Sequence, residues 1–237
     1  MNETANDPAA AFQAARRDAK RLLRTARTGA LATLDEGRPL TTLIGVASDW
    51  DGAPLFLMSE LSRHTRNLAV DARVSLLLTS EGGRGDPLNH PRITLNGTVG
   101  RREGADGRDR YIRRNPKAKL YVDFADFSLR RLEIGSVHFN GGFGRADKLT
   151  VADILTAGGA AELAQAQDDL LARVEALGDG AIAGLAGGGT SRPYKPVGLD
   201  AEGLDLSRGG EAARVDFDAP ARDAKTWWAA LQQRLAS

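Results

Sequence analysis

The chain has 237 residues, with 32 basic side chains against 31 acidic ones and a formal net charge of +1. That balance excludes nucleic-acid binding through bulk charge, which needs a clear basic excess. The absence of cysteine removes disulfides, thiolate zinc sites, cysteine-held iron–sulfur clusters and cysteine nucleophiles at once.

The start, Met1-Asn2-Glu3-Thr4, is polar and acidic rather than a signal peptide, and no run of about 18 apolar residues occurs. A cytoplasmic protein with no membrane contact is expected. Asp7-Pro8 reads as an N-cap followed by proline at the first helical position. Phe12, Ala15, Ala19, Leu22, Leu23 and Ala26 then recur at helical spacing, and Gly29 is expected to stop that helix. Short apolar runs at 30–34, 40–47 and 54–59, separated by turns at 35–38 and 49–52, predict an antiparallel meander. A short helix over 62–70 and a strand over 73–79 follow. Beyond the Gly/Pro/Asp-rich turn at 81–87 come a strand over 92–102, a basic surface helix over 106–114 and a strand over 128–139. Glycines at 141–144 then bend the chain. Six or seven strands within about 150 residues imply a β-barrel or sandwich.

Residues 155–160 have the composition of a linker. After them the pattern changes to a helix over 161–177, a second short helix, strands at 196–199, 203–206 and 212–217, and a last helix over 220–235. Two domains are expected, 1–154 and 160–237. The second is a small α+β module that docks on the barrel because so small a unit is marginal alone. Trp227 and Leu231, four apart on the last helix, read as packing residues, while Trp228 is expected to meet the barrel or a partner subunit.

The most informative segment is Leu61-Ser62-Arg63-His64-Thr65-Arg66-Asn67-Leu68. Ser62 is placed to cap a helix whose first free N–H groups attract anions. His64, Thr65, Arg66 and Asn67 supply further donors within one turn, and Arg66 is suited to grip a phosphate with two parallel bonds. The plain alternative is a capped, solvated connector. His64, His90 and His138 are too far apart in sequence for a local metal motif. His138 is expected as a hydrogen-bonded strand residue, with a ligand or site-wall role as the alternative, and His90 as a loop residue. The glycines before Arg145 lack the G-K-[ST] ending of a phosphate loop, and no G-x-S-x-G nucleophile motif occurs.

The order of Thr41-Thr42-Leu43, Leu57-Met58-Ser59, the Ser62–Leu68 run and Arg73-Val74-Ser75-Leu76 resembles the pyridoxamine 5′-phosphate oxidase-like, FMN-binding split barrels. Their pattern is similar to S-x-K-x-R-N-L, and His64 stands where a lysine is common. With Asp86-Pro87-Leu88, Pro91-Arg92 and the stretch from His138 to Ala146, the chain looks like the HugZ/HutZ haem-utilisation group and its CREG-like relatives. Val197–Leu206 and Ala213–Phe217 look like the small domain often appended to such barrels. The resemblance implies a mainly β fold with α, a split barrel followed by a small α+β domain. It also implies a homodimer with two equivalent sites at the subunit interface. In flavin-binding members, Ser62, His64, Thr65 and Arg66, with Asn67 beside them, would approach the FMN phosphate. Thr41, Thr42, Leu43, Met58 and Ser59 would border the ribityl chain and ring. In haem-handling members a histidine of the appended domain is expected to ligate iron. Here no histidine follows His138, and 166–171 reads Ala-Gln-Asp-Asp-Leu-Leu where relatives often carry an H-M-N-x-D-H-like stretch. Three functions stand open: an FMN-dependent oxidoreductase acting on a small-molecule substrate, haem binding or breakdown, and a cofactor-free interaction module.

Overall fold

Asp7 caps the first helix as expected, its carboxylate accepting from the Ala9 N–H at 2.9 Å, with Pro8 in the first turn. The computed structural model describes residues 7–80, 85–142, 146–188, 193–209 and 211–236. Helix α1 (Pro8–Thr25) turns Ala15, Ala19, Leu22 and Leu23 inward. It ends before Gly29, which lies inside β1 (Thr28–Asp35). Gly29 serves packing: a Cβ there would come within 2.7 Å of Leu78 Cδ2 and 2.8 Å of Leu76 Cδ1. A tight turn with Glu36 and Gly37 at positive φ leads into β2 (Arg38–Gly45), the geometry that matches the twist of a two-residue hairpin.

The chain then runs through β3 (Ala47–Ser48), β4 (Pro54–Ser59), α2 (Arg63–Val70), β5 (Arg73–Thr79), β6 (Arg92–Arg101), α3 (Ala105–Arg114), β7 (Phe127–Asn140) and β8 (Ala146–Asp147). All pairs are antiparallel, in the order β2-β1-β5-β6-β7-β4-β3 with β8 on β7, and the sheet curls into the half-barrel of a split-barrel fold. The meander expected over 30–59 therefore ends after its first hairpin. β4 leaves that hairpin for the far side of the sheet because it is apolar on both faces. Phe56 and Met58 face the main core, while Leu55 packs with Tyr111 and Ala118 beneath α3.

The core of the barrel is Leu31, Leu76, Leu78, Ile93, Leu95, Leu132 and Phe139, closed by α1. Helix α3 is not the surface helix its charge suggests. Arg110, Tyr111 and Arg114 are buried, because a second layer covers them. After α4 (Val151–Ile154), which packs on α1 and β7, that layer consists of α5 (Ala160–Glu175), α6 (Asp179–Leu185), an antiparallel sheet of β9 (Lys195–Asp200), β10 (Gly203–Arg208) and β11 (Glu211–Asp216), and α7 (Ala224–Ala236).

Trp227 and Leu231 sit fully inside this layer's own core, as their spacing predicts, and Trp50 enters it from the β3–β4 turn. Trp228 packs at the edge of this layer's core, where Arg173 of α5 stacks on its ring at 3.9 Å. Across the seam, Arg24 of α1 bonds Asp200 at 2.9 Å, and Arg110 joins the Ser48 and Leu199 carbonyls at 3.0 and 2.5 Å. The glycine-rich segments expected as turns at 81–87 and 141–145 lie partly outside the described residues.

Candidate functional site

Strand alternation decides which predicted residues meet. On β2, Ile44 and Thr42 point inward, whereas Thr41 and Leu43 point out, Leu43 with 77% of its surface exposed. On β4, Met58 is in the core, while Ser59 donates to Asp126 Oδ2 at 2.5 Å and accepts from the Leu61 N–H at 3.1 Å. These two bonds shape the bend that delivers the chain into α2.

Ser62 holds the N-cap position with extended backbone, yet its side chain makes no capping bond. The expected cap is thus absent, and no side chain among the described residues satisfies the first-turn amides. One turn in, His64 Nδ1 lies 3.2 Å from Thr42 Oγ1. Of the ten residues singled out by sequence, this is the pair brought into side-chain contact. Partial burial lowers the His64 pKa below its ordinary value, so the imidazole is neutral near pH 7.

The inner face of α2 does structural work. Asn67 reaches Thr33 Oγ1 at 3.0 Å and, with its amide nitrogen turned toward Asp35, also the Asp35 carboxylate at 3.1 Å. Thr65 is buried with no partner for its hydroxyl among the described residues. The outer face is cationic: Arg63 pairs with Asp35 at 2.6 Å, and exposed Arg66 donates to the Leu61 carbonyl at 3.0 Å but has no carboxylate partner among the described residues.

Two features lack any local sequence signal. Asp126, the partner of Ser59, comes from the turn before β7. Beside it, Tyr121, Phe124 and Phe127 form an aromatic group with ring centroids 5.0 and 6.3 Å apart, Phe124 being 58% exposed. Phe127 is the register partner of Ser59, which places this group at the β4–α2 bend.

Outside the barrel, Leu43, Ala30, Leu77, Thr94 and His138 stand in one row across five strands. His138 is exposed there and its ring makes no hydrogen bond among the described residues, unlike the bonded side chain expected. Cavities of about 720 and 740 Å³ lie elsewhere, around α1 and the small sheet.

The CREG, beta-barrel family model matches residues 10–155. A protein of unknown function from Agrobacterium tumefaciens str. C58 has a crystal structure similar to this one, with TM-score 0.79 and 37% identity over 100% of this chain and 99% of that one. A heme binding protein from Mycobacterium smegmatis matches with TM-score 0.56 and 28% identity over 94% and 96% of the two chains. The chloroplastic heme oxygenase HOZ of Arabidopsis thaliana is 35% identical over 116 residues, 47% of this chain and 34% of that protein. The chain thus spans about a third of the length of this curated relative.

Proposed function

Because the chain belongs to the CREG β-barrel family, within the pyridoxamine 5′-phosphate oxidase-like split barrels, we propose that it binds haem beside the Thr42–His64 pair, where β2 meets the first turn of α2. The observation that carries this reading is the Thr42–His64 pair. When Nδ1–H donates to Thr42 Oγ1, Nε2 keeps its lone pair, and a fixed neutral imidazole is what an axial iron ligand requires. Anionic arms of the ligand would meet the uncapped amides of α2 and the Arg66 guanidinium, and the aromatic group at 121–127 offers apolar ring surface. The heme binding protein from M. smegmatis and the A. thaliana heme oxygenase support the same ligand class. The appended layer offers no ligand in its first helix: Gln167 of α5, within the stretch where relatives carry histidine, is buried.

The working form is a homodimer. The outward row from Leu43 to His138 presents small and apolar side chains on an open sheet face, where a second copy would lie. A second reading, FMN, is favoured by one specific observation: the α2 N-terminus is uncapped and Arg66 lacks a carboxylate partner, as a phosphate anchor requires. Haemin and FMN, each titrated into the purified protein, separate the two. Haem binding gives a Soret band saturating at one haem per chain, with little change in FMN fluorescence. Quenching of FMN fluorescence without a Soret band transfers the site to the flavin, and no response to either leaves an interaction module.

A further inference from the structure

Helix α1 carries Gln13, Arg16, Arg17, Lys20 and Arg24 at three- and four-residue spacings, so they fall on one helical face. That face lines a cavity of about 410 Å³, whose other wall comes from the small layer and includes Phe217, Pro220 and Arg234. A second cavity of about 740 Å³ adjoins it, since Arg16, Lys20, Glu202 and Pro220 line both. There Val151, Ala152, Leu155 and Ala157 supply an apolar wall. The two make one groove along the seam, cationic at one end and apolar at the other.

The acids of this groove are engaged. Lys20 and Arg24 hold Glu202 between them at 2.5 and 2.8 Å, Arg214 and Arg21 hold Asp216 at 2.8 and 2.7 Å, and Arg131 holds Asp51 at 2.7 Å. Asp218 lies 3.8 Å from Arg234. The Asp153 carboxylate, which Arg16 and Lys20 attract, is occupied in the cap of α4, where it accepts from the Thr150 amide and hydroxyl. Arg16 itself donates to the Asp153 carbonyl at 3.0 Å, and Arg17 is exposed. Neither has a carboxylate partner among the described residues. Burial pushes the Lys20 pKa below its ordinary value against the pull of Glu202, and Arg24 and Arg16 push it the same way.

We propose that the groove is a binding site for an aliphatic monocarboxylate, its head held by Arg16 and Arg17 and its tail laid along Val151, Leu155 and Pro220. Both cavities fall within the roughly 300–1,000 Å³ of small-molecule sites. A guanidinium meets a carboxylate with two parallel bonds. A phosphate dianion is disfavoured, because Glu202, Asp216 and Asp218 stand in the same walls. The ligand touches α1 and the small layer together, so it joins the two.

Octanoate, titrated by calorimetry into the full chain, tests this. Binding saturates at one octanoate per chain, and the thermal midpoint rises with octanoate, as ligand linkage requires. Acetate, which has the head alone, and inorganic phosphate bind at least tenfold more weakly. Two variants locate the site, both at exposed positions. Arg17→Gln, whose parent side chain makes no hydrogen bond among the described residues, weakens octanoate roughly tenfold, the loss of one charge-assisted bond. Ala152→Asp puts a charge in the apolar end and weakens it at least as much. No saturable heat with octanoate at millimolar concentration, acetate or phosphate binding as tightly as octanoate, or parent-like octanoate binding in either variant would each overturn the proposal.

Discussion

At the scale of single residues, the proposed haem site rests on one imidazole and one guanidinium. Burial lowers the His64 pKa, so in the folded protein the neutral form persists to lower pH than in a free histidine. The unfolded chain then binds the extra proton first, and the contribution of His64 to stability is present above about pH 6.5 and lost as the pH falls below it. Haem affinity follows the folded-state pKa, so it stays level from about pH 8 through 6.5 and falls only at lower pH, where the partly buried ring takes up its proton, as absorbance titrations at stepped pH would register. Thr42→Val removes the acceptor that orients the ring and should weaken haem about 10–100-fold, the usual cost of losing such a support. Arg66→Ala should weaken an anionic ligand by roughly tenfold to a hundredfold, since a charge-assisted bond contributes about 1.5–3 kcal/mol. Riboflavin, which has no phosphate, should be nearly indifferent to that substitution in parallel titrations. The sequence made the Ser62–Leu68 segment stand out through its donors, but donor chemistry alone does not say which way a side chain faces. Asn67 and Thr65 point inward and Met58 enters the core, because the pitch of α2 and the pleat of β4 send alternate positions to the barrel interior.

At the scale of elements, strands with one buried face were legible and their partners were not. β5 and the first hairpin follow directly from alternation and from the Glu36-Gly37 turn. The pairing of β4 with β7 joins residues more than 65 positions apart, and no local pattern specifies it. The same holds for the register shift between Asn96 and Gly97 opposite β7, where the two backbones approach so closely that a Cβ on Gly97 would lie 2.0 Å from the Glu133 carbonyl oxygen. Gly97→Ala should therefore cost about 1–3 kcal/mol or more of stability, the range for forced overpacking. Gly100→Ala, on the same strand with open space at its Cβ position, should change the urea midpoint little. Equal midpoints for the two variants would place the close approach in doubt. Helix α3 shows the opposite failure: its arginines read as solvated, and the docked second layer buries two of them, Arg110 and Arg114.

At the scale of the whole molecule, the two layers are joined by ionised groups rather than by a broad apolar face. Burial raises the cost of ionising Asp200, but Arg214 and Arg24 more than offset it, and its pKa lies well below the carboxylate range. Asp49 and Glu202 are also lowered against burial, by Arg102 and by Arg24 with Lys20. Carboxylates depressed in the folded state contribute stability that is fully present above about pH 4 and drains away as the pH falls further. Acidification should thus release the small layer early, seen as a rise in Trp50 and Trp227 exposure by fluorescence. Asp200→Asn strands Arg24 and Arg214 and should cost about 3–5 kcal/mol at neutral pH by urea denaturation.

The chain has three histidines, His64, His90 and His138, which allows the central claim to be tested completely. Haemin titrations of the parent and of His64→Ala, His90→Ala and His138→Ala, followed at the Soret band, are the most direct measurement. The account predicts that His64→Ala alone shifts the band and weakens binding at least tenfold, while the other two bind as the parent does. Unchanged binding by His64→Ala, or loss confined to His138→Ala, would contradict it.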